Sequence, residues 1–381
     1  MPAPKNHFKW PEKLHVICWK DNLNWKDSED VAHSWGDLLA ADTGLKLHTA
    51  GEFDSVDRYR WLGHLKLFDL TVAAAVETRR MLGAEGRFCV RDGGPFAVRI
   101  AWVHSRGNSG FIVRGDSHLR TPYDIKPGTR INRLVFFGSQ KVVDGLLAWA
   151  GVSHDDIIWV DVGSWEENSQ AVVEGRSDIA FAYPNTPSVY QAEENPKGLG
   201  WLELNAAADP EGARRFRKID PVFTFAPMHT GVPSAIGHWG VTGINFEQTR
   251  ADVDPGLVYH LAKWFNENHP RFKDRHPVNR FRTLGTLMEG LRYTFLPCHD
   301  GLVSYLKDLG FWSKAHELRQ RQNREIVDGY AAAYLECMRM ADDSKIWVAR
   351  ESEEWVKFWN DYKKSHLTEI KPFDDLPVAT G

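Results

Sequence analysis

Leu134-Val135-Phe136-Phe137-Gly138-Ser139-Gln140-Lys141-Val142-Val143-Asp144-Gly145-Leu146-Leu147-Ala148-Trp149-Ala150-Gly151 decides the fold class. Its first four residues are continuously apolar, as a strand covered on both faces must be. A Gly-Ser turn follows. Val142, Val143, Leu146, Leu147 and Ala150 then fall on one stripe of helical period, and Gly151 supplies the C-terminal stop. The same strand-turn-helix cadence recurs on both sides. Residues 157–162 lead into Ser164-Trp165-Glu166-Glu167, a capping box that opens a helix ending near Gly175. Further strands are expected at 14–18, 69–76, 98–104, 111–114, 178–183 and 241–246. Asp254-Pro255 is an N-cap with an N1 proline, ahead of Leu257, Val258, Leu261, Trp264 and Phe265. Strands alternating with helices of this length define an α/β protein with mostly parallel sheets and flanking helices. From Asp300 to Asp342 the period is almost wholly helical. A further amphipathic segment carries Trp355, Phe358 and Trp359, to be buried against the same chain or a partner.

Composition narrows the function classes. The chain has 381 residues, a length that suits two domains. With 43% hydrophobic and 26% charged residues it is neither collagenous, coiled-coil nor disordered. A formal charge of −4 provides no basic field for nucleic acid. No window approaches about 18 apolar residues, so direct membrane insertion is not expected. Cys18, Cys89, Cys298 and Cys337 form no CxxC pair and read as reduced thiols. No HExxH, GxGxxG or P-loop occurs, so neither a metal nor any other cofactor is expected. Cys298-His299-Asp300 places three ligand types in a row, but consecutive residues rarely face one ion. Tryptophan is in surplus, 16 of 381, and such a surplus lines a ligand cleft or packs a core. No low-complexity linker separates the domains, as expected of lobes joined by paired crossovers.

Several motifs, taken in order, carry a family resemblance. They are Asp124-Ile125-Lys126-Pro127-Gly128-Thr129, Phe137-Gly138-Ser139-Gln140, Glu174-Gly175-Arg176-Ser177-Asp178-Ile179, Tyr183-Pro184-Asn185, Gly256-Leu257-Val258-Tyr259 and Leu296-Pro297-Cys298-His299-Asp300-Gly301. Together they resemble the TAXI-family solute receptors of TRAP transporters. The resemblance implies a two-lobed architecture of the type II periplasmic-binding-protein kind. Residues 1–115 with 238–381 would form lobe one and 116–237 lobe two, with crossovers near 110–118 and 235–242 as the hinge. It also implies a receptor that captures a small organic acid, a carboxylate on an aliphatic or aromatic body, and passes it to TRAP membrane components. The implied location is periplasmic. Residues 1–10 carry no apolar signal segment, so a cytoplasmic location follows if Met1 is native.

In doubly wound sheets ligands bind beyond the carboxyl ends of the strands. Trp19, Asn22 and Trp25 follow the first strand, and Glu77-Thr78 end the strand expected at 69–76. Gly138, Ser139, Gln140 and Lys141 offer N–H groups, a hydroxyl and a cation to an anion, or Ser139 is a plain cap. Trp165 forms a wall. Tyr183 and Asn185 follow another strand, with Asn185 either a ligand donor or a helix cap. An enzyme on the same fold is the alternative, with Cys18 as nucleophile beside His64, His104 or Arg106. A cytoplasmic small-molecule sensor is the third reading. Trp102, His104 and Arg106 otherwise read as a hinge cluster.

Overall fold

The computed structural model describes residues 8–19, 27–52, 54–134, 141–219, 221–370 and 376–377. In chain order the elements begin β1 (Lys13–Trp19), α1 (Asp27–Thr43), β2 (Lys46–Glu52), α2 (Ser55–Tyr59), β3 (Leu70–Ala73), α3 (Ala75–Leu82) and β4 (Val98–Arg114). Then come β5 (Arg130–Leu134), α4 (Lys141–Ala150), β6 (Ile158–Val162), α5 (Trp165–Val173), β7 (Ala180–Ala182), α6 (Pro187–Glu193) and β8 (Leu199–Trp201). Next are α7 (Pro210–Ile219), β9 (Thr224–Pro227), β10 (Trp239–Arg250), α8 (Pro255–Phe272) and α9 (Leu284–Tyr293). The chain closes with α10 (Asp300–Asp308), α11 (Lys314–Asp343) and α12 (Glu353–His366). It is a mixed α/β protein with sheets flanked by helices and a helical C-terminal region. Two units emerge: residues 1–106 with 244–381, and residues 107–243. Each boundary falls inside a strand, β4 and β10.

Unit 1 orders its strands β2-β1-β3-β10-β4. β1 runs parallel to β2 and β3, and β10 runs antiparallel to β3. Leu14, Val16 and Ile17 are buried in β1, and Trp35 and Leu39 of α1 are fully buried. The C-terminal helices pack on this unit: Trp355 Nε1 donates to the Cys89 carbonyl at 3.2 Å and Trp359 Nε1 to the Gly83 carbonyl at 2.9 Å. Each indole thus buries its ring while its N–H keeps an acceptor.

Unit 2 is built on β5. It pairs parallel with β6 on one side and, through Ile131 and Ile179, parallel with the segment entering β7 on the other. β7 in turn pairs antiparallel with the second half of β4, whose other side carries β8. Val143, Leu146 and Leu147 of α4 pack with Ile131, Leu134 and Phe216 in one core. Gly145 is required there, because a Cβ would lie 2.6 Å from the Phe216 ring. Asn132 and Asn168 lock α5 to the sheet. The Asn132 amide donates to Asn168 Oδ1 at 3.0 Å, and the Asn168 amide donates to the Phe181 carbonyl at 2.9 Å.

Several expected strands change extent. The strand expected at 69–76 stops at Ala73, and α3 begins at Ala75 because Glu77 at its third position accepts from Ala74 N at 3.0 Å. The strands expected at 98–104 and 111–114 are one strand, β4, continuous through Ser105-Arg106-Gly107-Asn108-Ser109. Its polar residues find partners: Asn108 Nδ2 donates to Thr230 Oγ1 at 2.6 Å and Ser109 Oγ to the Val241 carbonyl at 3.3 Å. The strand expected at 134–137 is β5, ending at Leu134, and 135–137 lie outside the described residues. β2, β8 and β9 were not expected.

Candidate functional site

In unit 2, β6, β5 and β7 run in one direction, so their carboxyl ends share an edge. The next helix after each is α5, α4 and α6 respectively. Ser164 caps α5: Glu167 N donates to Ser164 Oγ at 3.1 Å, and Gly163 N donates to Glu167 Oε2 at 2.6 Å. Trp165, the first residue of α5, sets its ring 5.4 Å from Tyr183 at 68°, and Tyr183 meets Phe181 at 5.3 Å. Both Trp165 and Tyr183 are half-buried. Thr186, not Asn185, occupies the N-cap of α6, which leaves the exposed Asn185 without a capping role. Lys141 opens α4 and is half-buried. Gly138, Ser139 and Gln140 lie outside the described residues, as do Asn22 and Trp25. Trp19 ends β1, where its backbone pairs with Glu52.

Glu77 and Thr78 sit in α3 and not at the end of a strand, Thr78 buried and Glu77 half-buried. Glu77 Oε1 accepts from Arg58 Nη2 at 2.5 Å, and Arg58 is itself 1% exposed. Thr78 Oγ1 lies 2.7 Å from the Tyr59 hydroxyl and accepts from Gln248 Nε2 at 2.9 Å. Tyr59 OH donates to Gln248 Oε1 at 3.0 Å, closing a ring of three side chains. Burial pushes the Tyr59 phenol far above its usual value.

A second polar locus in unit 1 was only partly anticipated. Cys18 and His104 line a small cavity with Val16, Ile17, Ala32, Val72 and Glu247, with room for about one water molecule. Val16 pairs with Leu70, so alternation puts Cys18 and Val72 on the same sheet face, and Glu247 pairs directly with Val72. Glu247 is 3% exposed and pairs with the fully buried Arg282, Nη1 to Oε1 at 2.7 Å. The Arg282 guanidinium also lies 4.6 Å from the Phe265 ring centre and 5.4 Å from that of Trp35. Burial raises the Glu247 carboxyl against the pull of Arg282. Burial likewise holds His104 well below the usual imidazole value, with Arg282 and His276 adding to the effect. His104 is therefore neutral near pH 7. Of the other residues considered as activators of Cys18, His64 bonds the Gly94 carbonyl at 2.9 Å and Arg106 pairs with Glu289. Sequence reasoning missed Glu247 and Arg282; a lone glutamate inside an otherwise strand-like run was the available signal.

Among the described residues no group of three His, Cys, Asp or Glu is placed to hold a metal ion. Cys298-His299-Asp300 diverges: His299 caps α10, Asp300 pairs with Arg324, and the Cys298 backbone bonds Gln320. All four cysteines are buried and none is in a disulfide. Burial pushes the Cys89 thiol up to about 11 and the Cys298 and Cys337 thiols to about 12. No described helix is long and apolar enough to cross a membrane.

Residues 90–212 match the family described as NMT1/THI5 like, which is under half of the chain. The fold is also similar to solved periplasmic binding proteins. The aliphatic sulphonate binding protein SsuA of Escherichia coli is 10% identical with a TM-score of 0.42, over 98% of this chain and 97% of that one. The alkanesulfonate-binding SsuA of Xanthomonas axonopodis pv. citri, bound to MOPS, is 15% identical with a TM-score of 0.39, over 89% and 96%. A binding protein of an ABC phosphonate transporter from Pseudomonas aeruginosa is 12% identical with a TM-score of 0.39, over 87% and 99%. No curated protein matches this chain. The TAXI resemblance rests on the sequence motifs alone.

Proposed function

We propose that this chain is a solute-binding protein that captures a small organic anion at the carboxyl edge of unit 2. The observation that carries the reading is the convergence of three parallel strands, β6, β5 and β7, whose next helices are α5, α4 and α6. The positive end of a helix dipole suits a carboxylate, sulfonate or phosphonate. Trp165 and Tyr183 supply aromatic surface at that edge, and Lys141 a cation. The match of residues 90–212 to a family model spans this whole segment and adds support. Within the reading, the ligand is a small carboxylic acid and the chain serves TRAP-type uptake from the periplasm, as the sequence motifs imply.

The test is a thermal-shift and tryptophan-fluorescence screen of the full chain against carboxylates, sulfonates and phosphonates, with mass spectrometry on every hit. A ligand at 100 times its Kd raises stability by about 2.7 kcal/mol. A saturable shift with the ligand recovered intact supports a receptor, and its charge type decides between the three anions. A hit that is consumed points to an enzyme. No shift with any of them refutes the proposal.

A further inference from the structure

The sheet of unit 1 ends in β2, the outermost strand of the order β2-β1-β3-β10-β4. β2 pairs with β1 without a break, from Lys46 opposite Lys13 to Glu52 opposite Trp19. Neither a bulge nor a proline, the usual guards of an exposed edge, interrupts it. In a parallel pair, alternate residues of a strand turn their N–H and C=O to the same neighbour. Lys46 N donates to the Glu12 carbonyl at 2.8 Å, which assigns the even-numbered residues of β2 to β1. On β1 itself, Asp69 N donates to the His15 carbonyl at 2.8 Å, so its odd-numbered residues serve β3 and its even ones β2, in agreement. Leu47, Thr49 and Gly51 therefore turn their backbone N–H and C=O groups outward. Among the described residues none of these groups has a partner. The side chains of Leu47 and Thr49 are meanwhile held against α1: Leu47 lies on Gly36, and Thr49 Oγ1 donates to Glu29 at 3.0 Å.

This edge is complementary to itself. An antiparallel pairing of two β2 strands about a two-fold axis at Thr49 sets Thr49 opposite its own copy. It also sets Leu47 opposite Gly51 of the second copy, and each such pair exchanges both backbone bonds. No other antiparallel register pairs all three outward residues with one another. The same register brings Lys46 opposite Glu52 of the second copy, twice, at the positions where facing side chains lie closest. Both charges are lightly engaged within the chain. Lys46 Nζ lies 3.8 Å from Glu12 in an exposed pair, and Glu52 uses Oε1 on Asp54 N at 2.9 Å. We propose that the β2 edge is a self-association surface, on which two copies pair β2 antiparallel and join their unit 1 sheets. A second copy is favoured over a foreign strand because it carries the complementary charges at the spacing that the backbone register demands.

Sedimentation velocity of the full chain over a concentration series reads the monomer–dimer equilibrium of the 43.4 kDa chain. Lys46→Glu sets two like-charged pairs across the axis and raises the dimer Kd about tenfold or more, and Glu52→Lys does the same. The double variant, Lys46→Glu with Glu52→Lys, restores the native affinity. Lys46 and Glu52 stand at opposite ends of one strand, so damage to the fold would add in the double variant rather than cancel. Hydrogen exchange tests the register without any variant: the Leu47, Thr49 and Gly51 amides gain protection as monomer passes to dimer. A chain that stays monomeric to about 1 mM overturns the proposal. A dimer indifferent to both single reversals also overturns it, as does one whose three outward amides exchange as fast as in the monomer.

Discussion

Replacing Arg282 by Met tests whether the pair with Glu247 is a real energetic fixture of unit 1. The Arg282 guanidinium is fully buried, bonded to Glu247 at 2.7 Å and packed on Phe265 and Trp35. Methionine keeps the apolar contact with both rings and removes only the charge. It strands a carboxylate that is 3% exposed, and breaking one side of a buried pair costs about 3–5 kcal/mol. Against a total of roughly 5–15 kcal/mol that is a large loss. The double variant Glu247→Leu with Arg282→Met removes both charges and restores about 2 kcal/mol or more of the penalty. The pH dependence has a definite sign. Burial raises the native Glu247 carboxyl, and Arg282 opposes the rise. Such a group contributes stability that is complete below its unfolded value and lost as pH rises through its native value. Without Arg282 the native value climbs further, so the Arg282→Met deficit is larger near pH 8 than near pH 5. Urea unfolding followed by tryptophan fluorescence reads all three effects. A single variant within about 1 kcal/mol of the native chain, or a double variant weaker than the single, refutes the reasoning.

Three further outcomes follow from the same contacts. Asn168→Ala removes the Asn132 and Phe181 partners together and lowers unfolding free energy by about 2–3 kcal/mol, read from the urea midpoint. Gly145→Ala gains helix propensity but drives a methyl to 2.6 Å from Phe216, for a net loss of about 1–3 kcal/mol in the same assay; a stabilised variant would mean the ring has room to move. Lys141→Glu, at the start of α4, weakens any anionic hit from the screen by about 1–3 kcal/mol in titration calorimetry, and unchanged affinity moves the anion site away from α4.

Legibility in the sequence tracked the hydrophobic period. α4, β6 and α5 were readable because the apolar run at 157–162, the Val142 to Leu147 stripe and the Ser164 cap each follow a strong local rule, whereas β5 (Arg130–Leu134) shares only Leu134 with the strand expected at 134–137. β2 escaped because Lys-Leu-His-Thr-Ala-Gly-Glu is a half-exposed strand held by its pairing with β1, not by its own apolar content. The polar middle of β4 looked like a break because partners such as Thr230 and Val241 are remote in sequence. Glu77 was misread for a related reason. Its position after an apolar run suggested the mouth of a strand, whereas its carboxylate caps α3 and neutralises Arg58. Trp165 and Tyr183 were singled out separately, and the structure brings their rings together.

The two faces of β10 differ in how fully their polar groups are bonded within unit 1. Gln248 and Glu247 are neighbours in sequence and so project to opposite faces of the sheet. On the Gln248 face, Tyr59, Thr78 and Gln248 bond one another in a closed ring. A ligand there would have to break bonds already made inside the core. On the Glu247 face the carboxylate is only half used, and the imidazole of His104 shares the cavity with it. Buried polar atoms without partners are costly, and proteins rarely keep them without a use. The two faces differ in satisfaction: the Gln248 side is closed on itself, whereas Glu247 keeps one oxygen that no described side chain bonds.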